Sequence, residues 1–396
     1  MRPVHSPLNG ITVLDLTRVL SGPYCTMLLA DMGARVLKVE QPGKGDDTRA
    51  WGPPFVDGES AYFLSINRNK ESVTLDFKQP AGRAILERLV GKCDVLVENF
   101  RPGTLGRLEL DYASLEPRHP RLVYCSISGF GHSGPRSSEP GYDAVIQAEG
   151  GLMSITGAAD GPPFRVGVAI ADIVSGMFAA YGATLALFAR ERSGRGQAVD
   201  IGMLDSVAAL LTYQAAIYFT TGSAPSRMGN RHPTIVPYET FAASDGDFVL
   251  AVGNDEQWRR FCEVSGFQDG GRFQTNAARV TGYAELRPRL ETHLRARTRR
   301  EWIQCLTAAG VPCGSVRDLH EVFTDRQLSA RDMVTEVEHA RIGALKLLGI
   351  PVKLSSTPGA VHDAPPMLGQ HTDAVLREDL GVSASEIAAL RRDRVI

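Results

Sequence analysis

One carboxylate stands alone in a long apolar stretch near the middle of the chain. Asp172 follows the run Val166-Gly-Val-Ala-Ile-Ala, and a helical pattern continues from Met177 to Arg190. We expect this aspartate at a strand-to-helix join, where free backbone N–H groups and the helix dipole favour its charged form. Aspartate also caps helices very often, so this stretch alone leaves a capping role and a chemical role both open.

The commonest catalytic and metal-binding motifs do not occur in the sequence. The six cysteines are scattered, with no CxxC pair and no Cys/His ligand spacing, so neither a zinc site nor a disulfide framework is indicated. The GxSxG, Walker lysine and HExxH patterns are missing as well. The sequence therefore predicts no bound metal and disfavours the common hydrolase, nucleotide-binding and zinc-protease classes.

The charge pattern disfavours two classes of partner. The chain has 396 residues and a formal net charge of −2, which gives no electrostatic footprint for nucleic acid or anionic lipid. Its first residues carry no apolar signal region, and no stretch approaches an uninterrupted membrane span. We expect a cytoplasmic protein with no nucleic-acid or membrane partner.

Strand and helix patterns alternate in the first part of the chain. A buried strand is predicted from Ile11 to Leu16, a helix beginning at Ser21, and a second strand from Arg35 to Glu40. Such a β-α-β unit implies a parallel sheet with a right-handed crossover. The pattern continues in a helix at 81–90 and strands at 94–98 and 121–127. The predicted fold class is α/β, with a doubly wound, Rossmann-like large domain.

The pattern changes near Gly222. The stretch 239–252 is typical of a hairpin turning at Asp245-Gly246, and helical patterns cover 256–266 and 283–309, which together indicate a smaller α+β domain. A proline-rich connection at 355–370 then leads to a short helix at 384–391. We predict that the large domain takes residues 1–222, the small domain 223–330, and that residues 331–396 return to the large domain.

The turn after the first strand is only partly like that of a dinucleotide enzyme. Glu40 ends the second strand, where such enzymes place a ribose-binding acid. The segment Leu20 to Cys25, however, has one glycine and a proline instead of the glycine fingerprint. The helix N-terminus at this turn still suits a phosphate or a pantetheine chain.

Ordered motifs extend along nearly the whole chain. They are Gly10-Ile-Thr-Val-Leu-Asp-Leu, Ala34-Arg-Val-Leu-Lys-Val-Glu, Asn69-Lys-Glu-Ser-Val-Thr-Leu-Asp-Phe-Lys, Val97-Glu-Asn-Phe-Arg-Pro-Gly, Gly141-Tyr-Asp, Gly194-Arg-Gly-Gln and Leu368-Gly-Gln-His-Thr. This set resembles the family III coenzyme A transferases, or CaiB/BaiF family, which also contains 2-methylacyl-CoA racemases. The resemblance implies an interlocked homodimer, in which each ring-shaped chain threads its partner.

The resemblance assigns the chemistry to Asp172, which falls on the family's nucleophilic aspartate. In the family this carboxylate attacks an acyl-CoA thioester to form an anhydride, and the CoA thiolate then returns to make an aspartyl-CoA thioester. One thioester replaces another, so no metal or permanently bound cofactor is needed, and coenzyme A enters as part of a substrate. The positions implied to bind CoA are Val19, Ser21, Leu75, Lys78, Asn99, Phe100, Arg107 and Tyr142.

The racemase branch is the alternative within this resemblance. Its members move a proton next to the thioester and carry a His-Asp pair where this chain has Tyr142-Asp143. A tyrosine, with a reference pKa of about 10, is a poor base near neutral pH, so the transferase is favoured. The chain also has Leu20 where formyl-CoA transferases have a glutamine, and no glycine run before Trp258, so no glycine lid is predicted.

The acceptor is expected to be a dicarboxylic acid. The stretches Gly45 to Phe55 and Ile235 to Glu239 most resemble members that move CoA from succinyl-CoA to glutarate or another dicarboxylate, among them itaconate and malate. A second carboxylate calls for an arginine fork. The candidate acceptor residues are Arg49, Trp51, Arg165, Arg231 and His232.

Overall fold

The computed structural model describes residues 6–396, which form two compact units by their internal contacts. The first unit contains the chain up to Leu152, Val166–Tyr213 and Arg326–Ile396, and the second contains Met153–Arg165 and Gln214–Asp325. The predicted boundaries at 222 and 330 differ from this division by several residues, and the segment Met153–Arg165 was not expected in the smaller unit. The fold is mixed α/β with a parallel central sheet.

The strands are numbered along the chain. They are β1 (Thr12–Asp15), β2 (Arg35–Glu40), β3 (Phe55–Val56), β4 (Glu59–Ser60), β5 (Lys70–Thr74), β6 (Val95–Glu98), β7 (Val123–Ser128), β8 (Ala198–Gly202), β9 (Tyr238–Ala243), β10 (Gly246–Ala251), β11 (Cys313–Ser315), β12 (Val334–His339) and β13 (Gly343–Leu348).

The α-helices are numbered in the same way. They are α1 (Ser21–Asp31), α2 (Ala61–Ile66), α3 (Pro80–Val90), α4 (Tyr112–Leu115), α5 (Asp143–Glu149), α6 (Leu152–Ile155), α7 (Ile170–Ser193), α8 (Met203–Leu210), α9 (Thr212–Thr221), α10 (Asp255–Ser265), α11 (Asn276–Thr281), α12 (Tyr283–Leu294), α13 (Arg299–Ala308), α14 (Leu319–Phe323), α15 (Arg326–Ala330), α16 (Thr372–Glu378) and α17 (Ala384–Arg392).

The large unit is built on a six-stranded parallel sheet in the order β5-β2-β1-β6-β7-β8. Numbered along this sheet, the strands run third, second, first, fourth, fifth and sixth, which is the doubly wound order. The chain therefore reverses direction across the sheet between β1 and β6. Doubly wound proteins bind their ligands in the crevice beyond the carboxyl ends of the strands at this point.

Helices α1 and α7 pack against each other through a glycine. A Cβ atom added at Gly176 would lie 2.5 Å from the carbonyl oxygen of Ser21 and 3.2 Å from the ring of Tyr24. Only a residue without a side chain permits this approach. Because Gly176 lies one turn after Asp172 on α7, the close packing brings the aspartate to the first turn of α1.

The C-terminal stretch covers the exposed edge of the central sheet. The N–H of His371 donates to the carbonyl of Ser72 on β5 at 2.9 Å, and the N–H of Ser72 donates to Nδ1 of His371 at 3.1 Å. Thr372 accepts a further bond from the N–H of Thr74 at 2.9 Å. These contacts satisfy an edge strand that would otherwise present free backbone groups, so the Leu368-Gly-Gln-His-Thr motif has a structural role in this chain.

The second unit contains a three-stranded antiparallel sheet, β11-β10-β9, with helices α10 to α13 in its sequence. The predicted hairpin is confirmed, since β9 and β10 pair around Ser244-Asp245. The single helix predicted at 283–309 is wrong. It divides into α12 and α13, because Thr298 forms a capping box with Glu301 and starts a new helix.

The region around Asp172 also corrects the sequence prediction. Helix α7 begins at Ile170, seven residues earlier than its apolar pattern suggested, and the segment before it is irregular rather than a strand. Helix α7 is also the one helix among residues 6–396 that is long and apolar enough to cross a membrane, but half of its apolar window is buried in the protein. A long helix that is buried on one side explains this composition.

Gly176→Ala should separate α1 from α7. Alanine favours a helix interior by about 1 kcal/mol over glycine, but overpacking a tight contact costs about 1–3 kcal/mol, so we expect a net loss of stability. Urea unfolding of the variant tests this. Gly314→Ala is the matched control, because a Cβ there meets nothing within 4 Å. Equal stability of Gly176→Ala and the wild type would contradict the close contact.

Candidate active site in the switch-point cleft

Two adjoining clefts lie at the carboxyl ends of the strands in the large unit. The first has Asp172 in its wall, and the second extends towards β2 and β5. The first is lined by Arg18, Val19, Ser21, Asp47, Asn99, Phe100, Arg101, Pro102, Ile127, Ser128, Gly129, Glu139, Pro140, Gly141, Tyr142, Asp172 and Met203. Six residues predicted from the resemblance therefore share one cleft, at the place where a doubly wound sheet binds its ligand.

The carboxylate of Asp172 faces the N-terminus of α1. The hydroxyl and the backbone N–H of Ser21, the first residue of that helix, act on this carboxylate as donors that lower its pKa. Leu20 precedes Ser21 and offers no side-chain cap, so this end of α1 keeps N–H groups for a partner outside the helix. The partial positive charge of the helix N-terminus favours an anion at this position.

Asp172 does not cap its own helix. Asp143, 29 residues earlier in the chain, accepts the N–H of Ala171 at 2.9 Å and the N–H of Asp172 at 3.4 Å, and its other oxygen accepts from Gln147 at 2.7 Å. Asp172 is the third residue of α7 and makes no capping bond. Asp143, and not Asp172, therefore caps α7, and the side chain of Asp172 remains available to the cleft.

Two effects raise the pKa of Asp172 from 3.8 to about 7. The larger is burial, since the side chain is half-buried among protein atoms, and the second is repulsion from the carboxylate of Asp143. The two hydrogen bonds from Ser21 act in the opposite direction. Such a carboxylate ionises near neutral pH and is then held by few donors, which is the condition of a reactive group.

Apolar side chains surround this part of the cleft and explain the burial. Leu20, Met27 and Ile66 form a small buried cluster against which Val19, Tyr24, Tyr62, Ala169 and Ile173 pack. Burial raises the pKa of the Tyr62 phenol to about 12, and the charges of Asp172, Asp143 and Asp46 add to this effect. Trp51 meets the same tyrosine edge-on, with ring centroids 5.2 Å apart. Trp51 thus contacts a tyrosine that packs against this cluster, and its predicted role in substrate binding stays a prediction.

The turn between β1 and α1 has a strained backbone. Val19 has a φ of 70°, a region that costs about 1–3 kcal/mol and is rare for a β-branched residue. Asn99 on the neighbouring strand end accepts the N–H of Arg18 at 2.9 Å and donates to its carbonyl at 2.7 Å. Two of the predicted CoA-binding residues therefore shape the turn as well as line the cleft.

The second cleft contains two further predicted CoA-binding residues, Leu75 and Lys78. Leu75, Lys78 and Phe100 line it, and Arg18, Asp47 and Phe100 line both clefts, so these three residues mark their junction. Lys44 adds a further cation to this cleft. Arg107 is exposed on a short 3-10 helix, Gly106–Leu108, outside the lining of either cleft. Apolar walls with lysine and arginine at the rim suit a base and its phosphates.

The five candidate acceptor residues have different surroundings. Arg49 is already paired, since its guanidinium makes two 2.7 Å bonds to Glu40 and lies 3.6 Å over the ring of Phe63. We therefore assign Arg49 to the structure of the large unit. Arg165, Arg231 and His232 belong to the second unit.

Within the second unit, the segments that carry these residues are joined. The N–H of Gly229 donates to the carbonyl of Gly157 at 2.9 Å, and Arg227 donates to the carbonyl of Gly161, also at 2.9 Å. The guanidinium of Arg231 lies 3.4 Å from the centroid of the Tyr283 ring. These bonds join the segments 157–161 and 227–229, which lie close in the sequence to Arg165 and Arg231 respectively.

Sequence reasoning did not identify several residues of the site. Asp143 was named from the sequence only as the neighbour of Tyr142. Tyr62 lies in no recognised motif, and Arg18, beside Val19, was not predicted to be a site residue. Their roles arise from contacts between residues that are far apart in the sequence, such as Asp143 with Ala171, and no local pattern reveals them. Among residues 6–396, no group of three or more His, Cys, Asp or Glu side chains is placed to hold a metal ion.

Asp172→Asn should stabilise the fold, and more so at alkaline pH. Because the native pKa of about 7 exceeds 3.8, the stability linked to this group is present below about pH 4 and is lost as pH rises through 7. The amide avoids that loss, so we expect a gain on the order of 2 kcal/mol at pH 8, after a discount for partial exposure, and a smaller gain at pH 5.

Urea unfolding of both proteins at pH 5 and pH 8 measures this difference. Asp205→Asn is the matched control, since Asp205 is also the third residue of its helix, α8. An equal gain in stability at the two pH values would contradict the raised pKa of Asp172.

Comparisons with known proteins identify the family of this chain. The CoA-transferase family III model matches residues 8–372. The chain is 43% identical to a succinate–glutarate CoA-transferase of Agrobacterium fabrum, over 94% of this chain and 95% of that protein. It is 41% identical to an acetyl-CoA:oxalate CoA-transferase of Acetobacter aceti, over 94% and 95% respectively.

A solved structure matches the fold over nearly the same length. The crystal structure of a CaiB/BaiF family protein from Brucella suis superimposes with a TM-score of 0.85 at 40% identity, and the match covers 95% of this chain and all of that one. Sequence and fold agree, and the chain belongs to CoA-transferase family III and is a CoA-transferase.

Proposed function

We propose that this CoA-transferase moves CoA from succinyl-CoA to a dicarboxylic acid such as glutarate, with Asp172 as the covalent nucleophile. The observation that carries the proposal is the position of Asp172. Its carboxylate lies in the wall of the switch-point cleft, half-buried, with its pKa raised to about 7 and with Ser21 as its hydrogen-bond donor. A carboxylate that is poorly solvated is a better nucleophile than one in water.

The proposed reaction proceeds through two anhydrides and one thioester. The Asp172 carboxylate attacks the thioester carbonyl of the donor and releases the CoA thiolate, leaving an Asp172–acyl anhydride. The thiolate attacks the Asp172 carbonyl, forms an aspartyl-CoA thioester and releases the donor acid with one Asp172 oxygen. The acceptor carboxylate then repeats both steps in reverse. It forms an anhydride with Asp172, and the thiolate takes the acceptor acyl group and leaves Asp172 free.

The donors of Ser21 have a role in the two steps in which the Asp172 carbonyl is attacked. Negative charge then develops on the carbonyl oxygen of Asp172, and a hydrogen bond to such an oxygen typically supplies about 3 kcal/mol of barrier reduction. The N-terminus of α1 is fixed by its packing on α7, so these donors need no reorganisation when the charge appears. The positive end of the helix dipole adds to the same effect.

The two clefts suit the two ends of coenzyme A. The second cleft, with Leu75, Lys78 and Phe100, would take the adenosine and its phosphates, with the cation of Arg107 nearby as the resemblance implies. The pantetheine chain would cross the junction at Arg18 and Phe100 and bring its sulfur to Asp172. Coenzyme A is bound in this way only as a substrate, and no permanent cofactor is part of the proposal.

A dicarboxylate acceptor fits the arginines of the second unit. Arg165 and Arg231, with His232, would hold the carboxylate that does not react, because guanidinium groups bind carboxylates through paired hydrogen bonds. Relatives of similar identity act on glutarate and on oxalate, so identity alone does not choose the acid or the donor. We propose glutarate first, with itaconate and malate as further acceptors.

A racemase reaction fits the site less well. It would need a base on each face of the carbon next to the thioester, and Asp143 is occupied as the cap of α7. Tyr142 lies in the cleft at the position of the racemase histidine, but its side chain is 68% exposed and is not an imidazole. We therefore place Tyr142 at the wall of the CoA channel.

A rate panel tests the substrate class. We expect succinyl-CoA with glutarate, itaconate or malate to form acyl-CoA faster than with acetate or formate, as read by product mass. Arg165→Ala should raise KM for the dicarboxylates far more than for a monocarboxylate, by about 30-fold or more if a charged contact of at least 2 kcal/mol is lost. Asp172→Asn is the inactive reference. Equal effects on both acid types would make Arg165 a structural residue.

We also propose that the protein is an obligate interlocked homodimer. The outer face of α7 supports this assembly, because Met177, Tyr181, Leu185 and Phe188 follow one helical stripe and are 51%, 62%, 47% and 58% exposed. An apolar stripe of this length usually packs against another surface.

Dilution tests the assembly. Interlocked chains cannot separate without large-scale opening, so sedimentation at nanomolar concentration should show only a dimer. Leu185→Glu, which places a charge in the stripe, should lower the yield of folded dimer. A folded and active wild-type monomer would contradict the proposed assembly.

A further inference from the structure

The strained turn at Val19 is held by a buried aspartate from a different part of the chain. Val19 has its φ at 70°, and its N–H donates to Oδ1 of Asp46 at 3.2 Å. Two residues after Val19, Ser21 begins α1 and donates to Asp172. The direction of the Ser21 donors therefore depends on a backbone conformation that Val19 would not adopt without support.

Asp46 is itself held by several partners. Its side chain accepts from the N–H of Thr48 at 2.9 Å, from the hydroxyl of Thr48 at 2.8 Å and from Nζ of Lys38 at 2.9 Å. Its own N–H donates to Glu40 at 2.9 Å. Burial raises the pKa of Asp46, but the Lys38 ammonium and the hydrogen bonds from Lys38 and Thr48 lower it by more. The pKa therefore lies below its usual value, and the group stays ionised.

Lys38 connects the two ends of the turn. Its ammonium, fully buried, donates to the carbonyl of Thr17 at 3.0 Å as well as to Asp46. Thr17 lies before the strained residue and Asp46 holds the strained residue itself. The buried pair of Lys38 and Asp46 thus restrains the backbone on both sides of Arg18.

We propose that Asp46, supported by Lys38, is a positioning residue for the reaction, which holds the β1–α1 turn so that both Ser21 donors meet the Asp172 carboxylate. Asp46 lines the second cleft, but neither residue lines the cleft wall around Asp172, so the effect on that carboxylate passes through Val19 and Ser21. The inference rests on the proposed role of Asp172 as nucleophile.

A test of the role of Asp46 must take account of the charged groups around Asp172. Asp143 from α5 and the Tyr62 phenol from α2 face it, and Asp46 acts electrostatically on the same tyrosine. Removing Asp46 alone would change the net charge of this buried region, where Lys38 also faces Asp15 and Glu40. The double variant Lys38→Met/Asp46→Ala leaves the net charge unchanged, so a shift in the pKa of Asp172 does not arise from a change in net charge.

The pKa of Asp172 is read by isotope-edited infrared titration of its carboxyl group, with the same protein carrying Asp172→Asn as the blank. In Lys38→Met/Asp46→Ala we expect the midpoint to move above the wild-type value of about 7, because donors that stabilise the charged form are lost. We expect kcat to fall about 100-fold, the effect of a small misplacement of a reacting group.

The matched control removes another buried pair at the opposite end of the same helix. Asp31, the last residue of α1, pairs with Arg68 at 2.6 Å, and Asp31→Ala/Arg68→Met also keeps the net charge. This variant should lose stability while its Asp172 midpoint stays at the wild-type value. A folded Lys38→Met/Asp46→Ala protein with an unmoved midpoint would overturn the inference.

Two further variants keep the test decisive. Val19→Gly, added to the double variant, should return the midpoint towards the wild-type value, because glycine adopts a positive φ without support. If the double variant does not fold, Thr48→Ala removes one donor to Asp46 and should move the midpoint less, but in the same direction. An unmoved midpoint there would equally reject the role of Asp46.

The infrared titration also separates the two proposals. It reads the ionisation of Asp172 whether or not that residue forms a covalent intermediate. Persistent CoA transfer in the Asp172→Asn variant would reject the proposed nucleophile, whereas an unmoved midpoint beside an inactive Asp172→Asn variant rejects only the role of Asp46.

Discussion

The contact between the Asp172 carboxylate and the first turn of α1 is the interaction on which the account of this protein depends. Burial and the nearby charge of Asp143 oppose ionisation of Asp172, whereas the hydroxyl and N–H of Ser21 favour it. The balance leaves a pKa of about 7 instead of 3.8. A carboxylate in this state is ionised often enough to react, and it is solvated weakly enough to be a useful nucleophile.

The fold supplies this contact through three features of the sequence. The strand order places the reversal of the sheet between β1 and β6, so the turn at Val19 opens into a cleft. Gly176 lets α7 approach the backbone of α1. Asp143 caps α7, which leaves the third residue of that helix free. Each feature is ordinary in a protein, and their combination places one acid against one helix end.

The sequence predicted the parallel sheet, because buried parallel strands have a strong apolar pattern. It did not predict the hairpin of β12 and β13, whose strands mostly alternate exposed and half-buried residues and so have little apolar pattern. It also set the start of α7 too late. Asp172, Ser175 and Gly176 are weak helix formers, and the residue that caps the helix, Asp143, lies 27 positions before its first residue.

For the candidate site, local sequence patterns identified individual residues but not the contacts between them. Asp172 is visible as a charge in an apolar stretch, and the resemblance to a family gave it a role. The sequence alone left open whether it caps a helix, and the contact with Asp143 answers that question. Arg49 shows the opposite case, since a conspicuous arginine beside Trp51 is already bound by Glu40. Pairing of this kind is a tertiary property and has no local signal.

The central claim is that Asp172 becomes covalently linked to the acyl group, and oxygen transfer tests it most directly. In the proposed reaction each turnover sends one Asp172 oxygen into the released donor acid and replaces it with an oxygen of the acceptor. Turnover of succinyl-CoA with glutarate labelled with ¹⁸O in its carboxylates should therefore place ¹⁸O in the peptide that contains Asp172, as seen by mass spectrometry after digestion. Product formation with no label in that peptide would contradict the account.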